Sequence, residues 1–176
     1  MKLSLVIPCF NEEGNIKPMY QKVVDTFDGK IEDYEFVFVN DGSSDQTEAQ
    51  LKALLESSTL PIKVVHFSRN FGKEAAIYAG LQQAEGDYIS LIDADLQQDP
   101  SIVLSMVKML DSDSSADCIC AYQENRKESH FRVFCKNRFY HMINKMSDTE
   151  FKNGASDFRC FRASVRDAVL SMSEYH

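Results

Sequence analysis

Apolar residues follow two alternating patterns along this chain. Short runs rich in β-branched and aromatic residues, typical of buried strands, alternate with longer segments in which apolar residues recur every three or four positions, as on one face of a helix. This alternation indicates a three-layer α/β/α sandwich with a mostly parallel central sheet, formed by one domain over residues 1–176. The predicted strands cover residues 3–8, 36–40, 62–67, 88–93, 116–122 and 157–161, and the predicted helices cover residues 13–27, 44–55, 73–84, 100–110 and 129–146.

Polar segments follow the first four predicted strands. They comprise residues 11–13, 40–45, 68–73 and 93–100. In open α/β sheets, ligands bind beyond the carboxyl ends of the strands. We therefore expect these four loops to meet at one edge of the sheet and to form one binding site.

Two carboxylates one residue apart, Asp93 and Asp95, leave the fourth predicted strand. If the loop curls back, both can turn toward one cation, and magnesium typically binds one or two carboxylates together with substrate phosphates. Such a metal would neutralise the charge that develops on a leaving diphosphate. Two surface acids in a turn are the simpler alternative, but the three neighbouring polar loops favour a binding site.

The loop after the second strand invites two interpretations. Asp41 is placed where a carboxylate can accept hydrogen bonds from a base or a ribose. Ser44 or Asp45 is a candidate N-cap for the following helix. Both interpretations can hold, because they concern different residues of the loop.

Composition and charge narrow the classes of function. The apolar content of 44% and charged content of 26% are those of an ordinary globular protein, and the net charge of −8 argues against nucleic-acid binding through a basic surface. No Gly-x-Gly-x-x-Gly follows the first strand and no Walker loop occurs, which argues against dinucleotide and P-loop proteins. The N-terminal apolar run is too short for a signal peptide, and no stretch approaches the roughly 18 to 20 apolar residues of a spanning helix, so we expect the chain as given to be soluble or peripheral.

The cysteines do not form a recognisable framework. There are five, Cys9, Cys118, Cys120, Cys135 and Cys160, and an odd, scattered set is typical of reduced thiols in a cytosolic compartment. Cys118 and Cys120 could belong to a metal site. We favour the alternative that they are small apolar residues of a buried strand.

Basic residues are concentrated in one segment of this acidic chain. Residues 126–145 contain six basic residues and one acidic residue. On a helical wheel, Arg132 and Lys136 border one side of a broad apolar stripe and Arg138 lies on the other side. This pattern suits a helix in a membrane interface that captures a lipid phosphate. Taken alone, it favours the alternative of a helix that packs on the core and exposes a solvated basic face.

Three motifs together resemble the family-2 glycosyltransferases with the GT-A fold. They read Ser-Leu-Val-Ile-Pro-Cys-Phe-Asn-Glu-Glu over residues 4–13, Asn-Asp-Gly-Ser-Ser-Asp-Gln-Thr over residues 40–47 and Asp-Ala-Asp-Leu-Gln-Gln-Asp-Pro over residues 93–100. The match runs in order over nearly the whole chain. The third motif and residues 68–76 resemble the branch that contains bactoprenol glucosyltransferases and dolichol-phosphate mannosyltransferases.

This resemblance implies transfer of a sugar from a UDP- or GDP-sugar to a polyprenyl phosphate at the cytoplasmic face of the membrane, with Mg²⁺ or Mn²⁺ as cofactor and a homo-oligomer as a possible state. A saccharide acceptor in cell-surface polysaccharide synthesis is one alternative, and a catalytically inactive nucleotide-binding scaffold is another. Relatives of this branch continue into apolar segments that span the membrane, so we expect the present chain to be truncated at its C-terminus.

The resemblance also implies roles for individual residues. The donor side would comprise Pro8, Phe10 and Glu12 at the base, Val39 and Asp41 at base and ribose, Lys73 and Ala94 at the nucleotide sugar, and Asp93, Asp95 and Gln97 at the metal. Asn40 stands where many relatives have a first aspartate. The acceptor side would comprise Asp157, which with Asp95 is the predicted catalytic pair, the phosphate-binding Arg126, and the membrane-facing Arg132, Lys136 and Arg138.

Overall fold

The central sheet contains six strands in the order β3-β2-β1-β4-β6-β5. The computed structural model describes residues 1–122 and 155–172. The strands are β1 (Leu3–Cys9), β2 (Tyr34–Asn40), β3 (Ile62–His66), β4 (Tyr88–Leu91), β5 (Cys118–Tyr122) and β6 (Ala155–Arg162). The helices are α1 (Ile16–Phe27), α2 (Thr47–Ser57), α3 (Lys73–Gln83), α4 (Pro100–Ser112) and α5 (Ala163–Ser171). This arrangement confirms the predicted α/β fold with a mostly parallel sheet.

The first four strands run parallel and end at the same edge of the sheet. The register pairs Cys9 with Asn40 and Asn40 with His66, so β1, β2 and β3 terminate side by side. The strand β4 pairs in parallel with the other side of β1 and ends at Leu91, two residues earlier than predicted. The backbone N–H of Ile92 still donates to the carbonyl of Val6 at 3.1 Å, which leads the chain toward the same edge.

Apolar side chains of the strands pack into two layers of core, one on each face of the sheet. Leu3, Leu5 and Ile7 of β1 point to one face, where they pack with buried residues of α1, α2 and α4. Val6 points to the other face, toward α3 and α5. Burial of each such side chain stabilises the fold by roughly 1.5–3 kcal/mol. The sheet thus lies between two layers of helices, as the sequence pattern predicts.

The helix α3 lies unusually close to the sheet because Gly80 faces it. A Cβ at this position would lie 2.4 Å from the Cγ1 atom of Val6 and 3.3 Å from the Cγ2 atom of Val39. Glycine therefore sets the distance between α3 and the two central strands. Since α3 begins at the carboxyl edge of the sheet, this distance also places its first turn.

The strand β6 runs antiparallel to both of its neighbours, β4 and β5. It is longer than the strand predicted over residues 157–161, and the helix α5 that follows was not predicted. Arg162, at the end of β6, donates to the carbonyl oxygens of Leu110 at 2.5 Å and Ala116 at 3.0 Å. These bonds satisfy a carbonyl in the last turn of α4 and tie that helix to the sheet.

A buried carboxylate stabilises the opposite edge of the sheet. The Glu35 side chain is 1% exposed and accepts hydrogen bonds from the Ser4 hydroxyl at 2.6 Å and from the backbone N–H of Glu85 at 2.8 Å. The ammonium groups of Lys2 and Lys63 lie 3.0 and 3.1 Å from it. Burial alone would raise the pKa of Glu35, but these hydrogen bonds lower it to about 2. The cluster lies at the amino ends of the parallel strands.

Among the helices that the structure describes, none combines the length and the apolar character that crossing a bilayer requires.

Candidate functional site

The four loops at the carboxyl edge enclose a cavity of about 340 Å³, a size within the usual range of small-molecule sites. All the residues predicted to bind the nucleotide sugar line it except Val39. The lining residues are Pro8, Cys9, Phe10, Glu12, Asp41, Asn70, Gly72, Lys73, Ala76, Asp93, Ala94 and Asp95. The structure thus brings together residues that are up to 87 positions apart, from Pro8 to Asp95.

Val39 is placed differently from the other residues of this group. Its side chain is fully buried and lies near Gly80 of α3, within the core and not at the cavity surface. A ligand contact from Val39 would therefore involve its backbone.

The loops after β1 and β2 are joined by reciprocal hydrogen bonds. The backbone N–H of Asn11 donates to the Ser43 hydroxyl at 3.0 Å, and the backbone N–H of Ser44 donates to the Asn11 side-chain oxygen at 2.9 Å. The backbone N–H of Glu12 donates to the Thr47 hydroxyl at 2.8 Å. These bonds hold Asn11 at a φ of 56° and position Phe10 and Glu12 at the cavity.

The prediction that Ser44 or Asp45 is the N-cap of α2 needs correction. The cap position is occupied by Gln46, which makes no side-chain capping bond. Asp45 still accepts from the backbone N–H of Thr47 at 2.9 Å, but it also accepts from the N–H of Glu13 at 3.1 Å. The polar residues after β2 therefore serve mainly to hold the neighbouring loop, because their partners lie in the segment after β1.

Asp41 anchors the loop that follows β3. The residue is 3% exposed, and its carboxylate accepts the backbone N–H groups of Phe71 at 2.7 Å and Gly72 at 3.0 Å. Gly42 has a φ of +64°, and a Cβ there would lie 2.2 Å from the backbone carbon of Arg69, so only glycine fits. The end of β2 and the start of α3 are thus fastened together, and Asp41 reaches the cavity with both carboxylate oxygens already engaged.

Lys73 joins Asp93 to Asp157. Its ammonium lies 2.7 Å from Asp93 Oδ1 and 3.3 Å from Asp157 Oδ2. Partial burial lowers the pKa of Lys73, but the hydrogen bond and the charge of Asp93, with those of Asp157, outweigh it and raise the pKa above its ordinary value. One lysine therefore forms ion pairs with both a predicted donor-side aspartate and the predicted acceptor-side aspartate. The sequence did not indicate this relationship.

The second oxygen of Asp93 is held by Gln98. The Gln98 side-chain amide donates to Asp93 Oδ2 at 2.9 Å, and its carbonyl oxygen accepts the backbone N–H of Asp93 at 2.9 Å. Gln97, the predicted metal ligand, is exposed and is absent from the residues that line the cavity. Leu96, which precedes the two glutamines, adopts a φ of +64°. The adjacent pair in the sequence gave no signal to choose between them.

Asp95 lies at the same cavity with part of its carboxylate engaged. Its Oδ1 atom accepts the backbone N–H of Gln97 at 3.0 Å. The loop is anchored further on by Asp99, the N-cap of α4, whose side chain accepts from the backbone N–H of Ser101 at 3.0 Å. Pro100 occupies the first turn of α4, as expected from its position in the sequence.

The donor atoms at this cavity fit a divalent cation only in part. Within residues 1–122 and 155–172, no group of three or more His, Cys, Asp or Glu side chains could hold a metal ion. Asp93 and Asp95 offer two carboxylates, which is the usual protein contribution to a magnesium ion that also binds phosphate oxygens. The residues therefore fit a metal that is completed by a bound diphosphate.

The predicted acceptor side is described only at Asp157. Its side chain is 60% exposed and, besides Lys73, lies 3.4 Å from the Arg159 guanidinium. Arg126, Arg132, Lys136, Arg138 and the predicted helix over residues 129–146 lie outside the described residues.

The cysteine pair is placed contrary to expectation. Cys118 and Cys120 are exposed, with their sulfur atoms 3.8 Å apart, instead of buried. Ile119 between them packs against the core, so Cys118 and Cys120 point to the other face of β5, which is an edge strand of the sheet. Cys9 and Cys160 are buried, and burial raises the pKa of the Cys160 thiol to about 12.

The chain is similar in sequence to several curated proteins. The chain is 36% identical over 175 residues to a prophage bactoprenol glucosyl transferase homolog of Escherichia coli (strain K12), covering 99% of this chain and 56% of that protein. It is 31% identical over 180 residues to a dodecaprenyl-phosphate galacturonate synthase of Rhizobium johnstonii, covering 100% of this chain and 52% of that protein. The chain thus spans about half the length of these curated relatives.

A solved structure shares the fold, and a family model matches the sequence. The fold is similar to that of a mannosyltransferase from Pyrobaculum calidifontis, solved with GDP-Man and Mn²⁺, with a TM-score of 0.67 and 20% identity over 95% of this chain and 46% of that one. The family model described as Glycosyl transferase family 2 matches residues 4–171. Because that match covers nearly the whole chain, this protein belongs to glycosyltransferase family 2.

Proposed function

We propose that this protein transfers a sugar from a nucleoside diphosphate sugar to the phosphate of a polyprenyl lipid, with Mg²⁺ or Mn²⁺ as cofactor. One observation carries the proposal. Asp93 and Asp95 open into the same cavity as Phe10, Asp41 and the first turn of α3. That cavity combines carboxylates for a metal, an aromatic surface for a base and positive groups for phosphate.

The donor is positioned by the walls of the cavity. Phe10 is 46% exposed and offers an apolar face to a nucleotide base beside Pro8 and Glu12. On the other wall, the first turn of α3 carries Lys73, and its N-cap makes no side-chain capping bond. Helix N-termini and lysine both favour anions, so the diphosphate is expected between this turn and the two aspartates.

Asp93 and Asp95 would hold the divalent metal against the diphosphate. A metal held by these carboxylates would supply positive charge to the leaving nucleoside diphosphate. Gln98 fixes Asp93 in the required orientation by its two hydrogen bonds. The protein's own contribution is therefore mainly placement of charge before the reaction begins.

The lipid phosphate is proposed as the acceptor because both curated relatives described above carry polyprenyl carriers in their names, bactoprenol and dodecaprenyl phosphate. A phosphate oxygen would form the new bond to the sugar while the bond from the sugar to the diphosphate breaks. Such an acceptor is already anionic and needs little deprotonation, so Asp157 would orient it more than take a proton from it. The basic residues Arg126, Arg132, Lys136 and Arg138 are proposed to hold the lipid phosphate at the membrane surface.

Titration calorimetry of the 176-residue chain tests the donor half of this proposal. The protein is titrated with UDP and, separately, with GDP, first in the presence of MnCl₂ and then with an excess of chelator. We expect one of the two nucleotides to bind in a manganese-dependent way. A chain that binds neither, or that binds equally well after chelation, contradicts the proposed metal-dependent donor site.

The acceptor half needs a transfer assay with the matching nucleotide sugar. Undecaprenyl phosphate in detergent is compared with a short oligosaccharide as acceptor. The proposal predicts a sugar attached to the organic-extractable lipid. Transfer of the sugar to the oligosaccharide would instead support a saccharide acceptor.

A further inference from the structure

Lys73 occupies the position where a cation is needed at this site. Its ammonium lies 2.7 Å from Asp93 Oδ1, while Gln98 holds Oδ2 of the same carboxylate at 2.9 Å. Asp157 lies on the far side of the ammonium at 3.3 Å. Without ligands, the negative charge of Asp93 is therefore compensated by a residue of the chain itself.

This contact conflicts with metal binding. A divalent ion on Asp93 and the ammonium of Lys73 would be like charges only a few ångströms apart, which is unfavourable in a partly buried cavity. Gln98 is neutral and can remain in place. The group that must give way is Lys73, whose side chain is 39% exposed and ends a flexible four-carbon stem.

A second partner for the ammonium lies within the same cavity. Lys73 is the first residue of α3, and Gly72, Lys73 and Ala76 of that turn line the cavity together with Asp93 and Asp95. A diphosphate between the turn and the two aspartates would be within reach of the Lys73 side chain. The backbone of the turn need not move, because Asp41 anchors Gly72.

We propose that Lys73 is a positioning residue that couples metal binding to donor binding. Its ammonium neutralises Asp93 in the ligand-free protein and leaves it for the donor diphosphate when the metal takes the carboxylate. The inference rests on the proposed function, since it requires a diphosphate and a metal at this cavity. With this movement of Lys73, the metal or the donor alone binds weakly, and the two together bind strongly.

Manganese binding to the Lys73→Met variant tests this coupling without any activity measurement. Calorimetry measures the affinity for Mn²⁺ in the absence of nucleotide and at saturating UDP or GDP. The ratio of these two Mn²⁺ affinities is the coupling factor. Loss of a half-exposed ion pair should tighten binding of Mn²⁺ alone by roughly fivefold and reduce the coupling factor by a similar amount. Lys108→Met, which removes an exposed lysine of α4, should leave both quantities unchanged.

The coupling factor distinguishes a Lys73 ammonium that moves from Asp93 to the diphosphate from one that stays on Asp93 and acts only through its charge. A lysine that stayed in place would repel the metal and attract the diphosphate, so its removal would change both affinities and leave their coupling as in the wild type. That result for Lys73→Met overturns the inference. Lys73→Arg keeps the ion pair and should keep the coupling within about twofold, and thermal unfolding of each variant checks the fold.

The wild type distinguishes failure of this inference from failure of the proposed function. Wild-type protein that binds a nucleoside diphosphate with manganese, together with an unchanged coupling factor in Lys73→Met, refutes only the role of Lys73. Wild-type protein that shows no manganese-dependent nucleotide binding refutes both.

Discussion

Gln98 holds Asp93 at two points, with its amide nitrogen 2.9 Å from the carboxylate and its amide oxygen 2.9 Å from the backbone nitrogen of the same residue. Such a pair fixes both the backbone and the side chain of Asp93. It leaves Oδ1 directed toward Lys73 and the cavity. The orientation of the proposed metal ligand thus depends on a residue outside the acidic motif.

We therefore expect Gln98→Ala to weaken manganese-dependent nucleotide binding by roughly tenfold, since loss of two hydrogen bonds costs about 1–2 kcal/mol and leaves Asp93 less well oriented. Gln97→Ala is the matched control, because Gln97 is exposed and contacts Asp95 only through its backbone N–H. Calorimetry of both variants measures the difference. A larger loss in Gln97→Ala would favour the original prediction that Gln97 is a metal ligand.

Asp95→Asn should abolish manganese-dependent donor binding while the fold persists. The substitution removes the charge of one of the two proposed carboxylate ligands but keeps its shape, and the Asn oxygen can still accept from the Gln97 backbone. Calorimetry measures the binding, and circular dichroism checks the fold. Asp25→Asn, on the exposed side of α1, serves as the control for a lost surface charge. Unchanged manganese dependence in Asp95→Asn would refute the metal assignment.

Asp41→Asn should lower both stability and nucleotide affinity. One carboxylate oxygen becomes an amide nitrogen, which cannot accept the N–H of Phe71 or Gly72, and an unsatisfied buried group costs about 1–3 kcal/mol. Urea denaturation measures the free energy of unfolding. Asn70→Ala changes the cavity wall without removing these bonds and should leave stability within about 0.5 kcal/mol. If Asp41→Asn is as stable as the wild type, the carboxylate does not anchor the loop.

The Glu35 cluster predicts a particular dependence of stability on pH. The folded-state pKa of Glu35 is lowered from 4.5 to about 2, so its stabilising contribution is present above pH 4.5 and is lost as the pH falls toward 2. Glu35→Gln should be less stable than the wild type by about 1–3 kcal/mol at pH 7, since Lys2 and Lys63 are only partly buried.

The two unfolding free energies should approach each other between pH 4.5 and pH 2, because the wild-type carboxylate becomes protonated there. Glu85→Gln removes an exposed partner of the same two lysines and should have the smaller effect at pH 7. A gap between wild type and Glu35→Gln that is constant with pH would show that Glu35 does not act through its charge.

The basic segment over residues 126–145 predicts binding to anionic vesicles. Each basic residue near such a surface contributes about 1 kcal/mol, and salt screens the attraction. Replacing Arg132, Lys136 and Arg138 together with glutamine should therefore weaken co-sedimentation with the vesicles roughly a hundredfold at low salt. Neutral vesicles are the control. Equal sedimentation of variant and wild type would support the interpretation that this segment packs on the core.

The sequence was informative where one local pattern determines structure. Strand ends and the loops beyond them could be predicted because parallel strands share an edge, and this placed Phe10, Asp41, Lys73 and Asp93 at one cavity. The helix α5 was missed because it is only nine residues long and carries few large apolar residues, which are only partly buried against the core. Antiparallel pairing of β6 could not be predicted either, since strand direction depends on how the chain returns to the sheet.

Contacts that depend on backbone turns or on residues distant in the chain could not be predicted from the sequence. Gln98 and not Gln97 meets Asp93, in a loop where Leu96 adopts a positive φ. The contact of Lys73 with both Asp93 and Asp157 requires three separate elements to converge. Exposure of Cys118 and Cys120 depends on the place of β5 at the outside of the sheet. No spacing along the chain encodes any of these.

The bonds from Asp41 to the N–H groups of Phe71 and Gly72 have a consequence for how ligands can be introduced experimentally. They fasten the cavity wall before any nucleotide arrives, so the adjustment left for binding is that of side chains such as Lys73. A nucleoside diphosphate soaked into crystals grown without it should enter without cracking them, and the Cα positions of Asp41 and Gly72 should then superpose with those of the empty form.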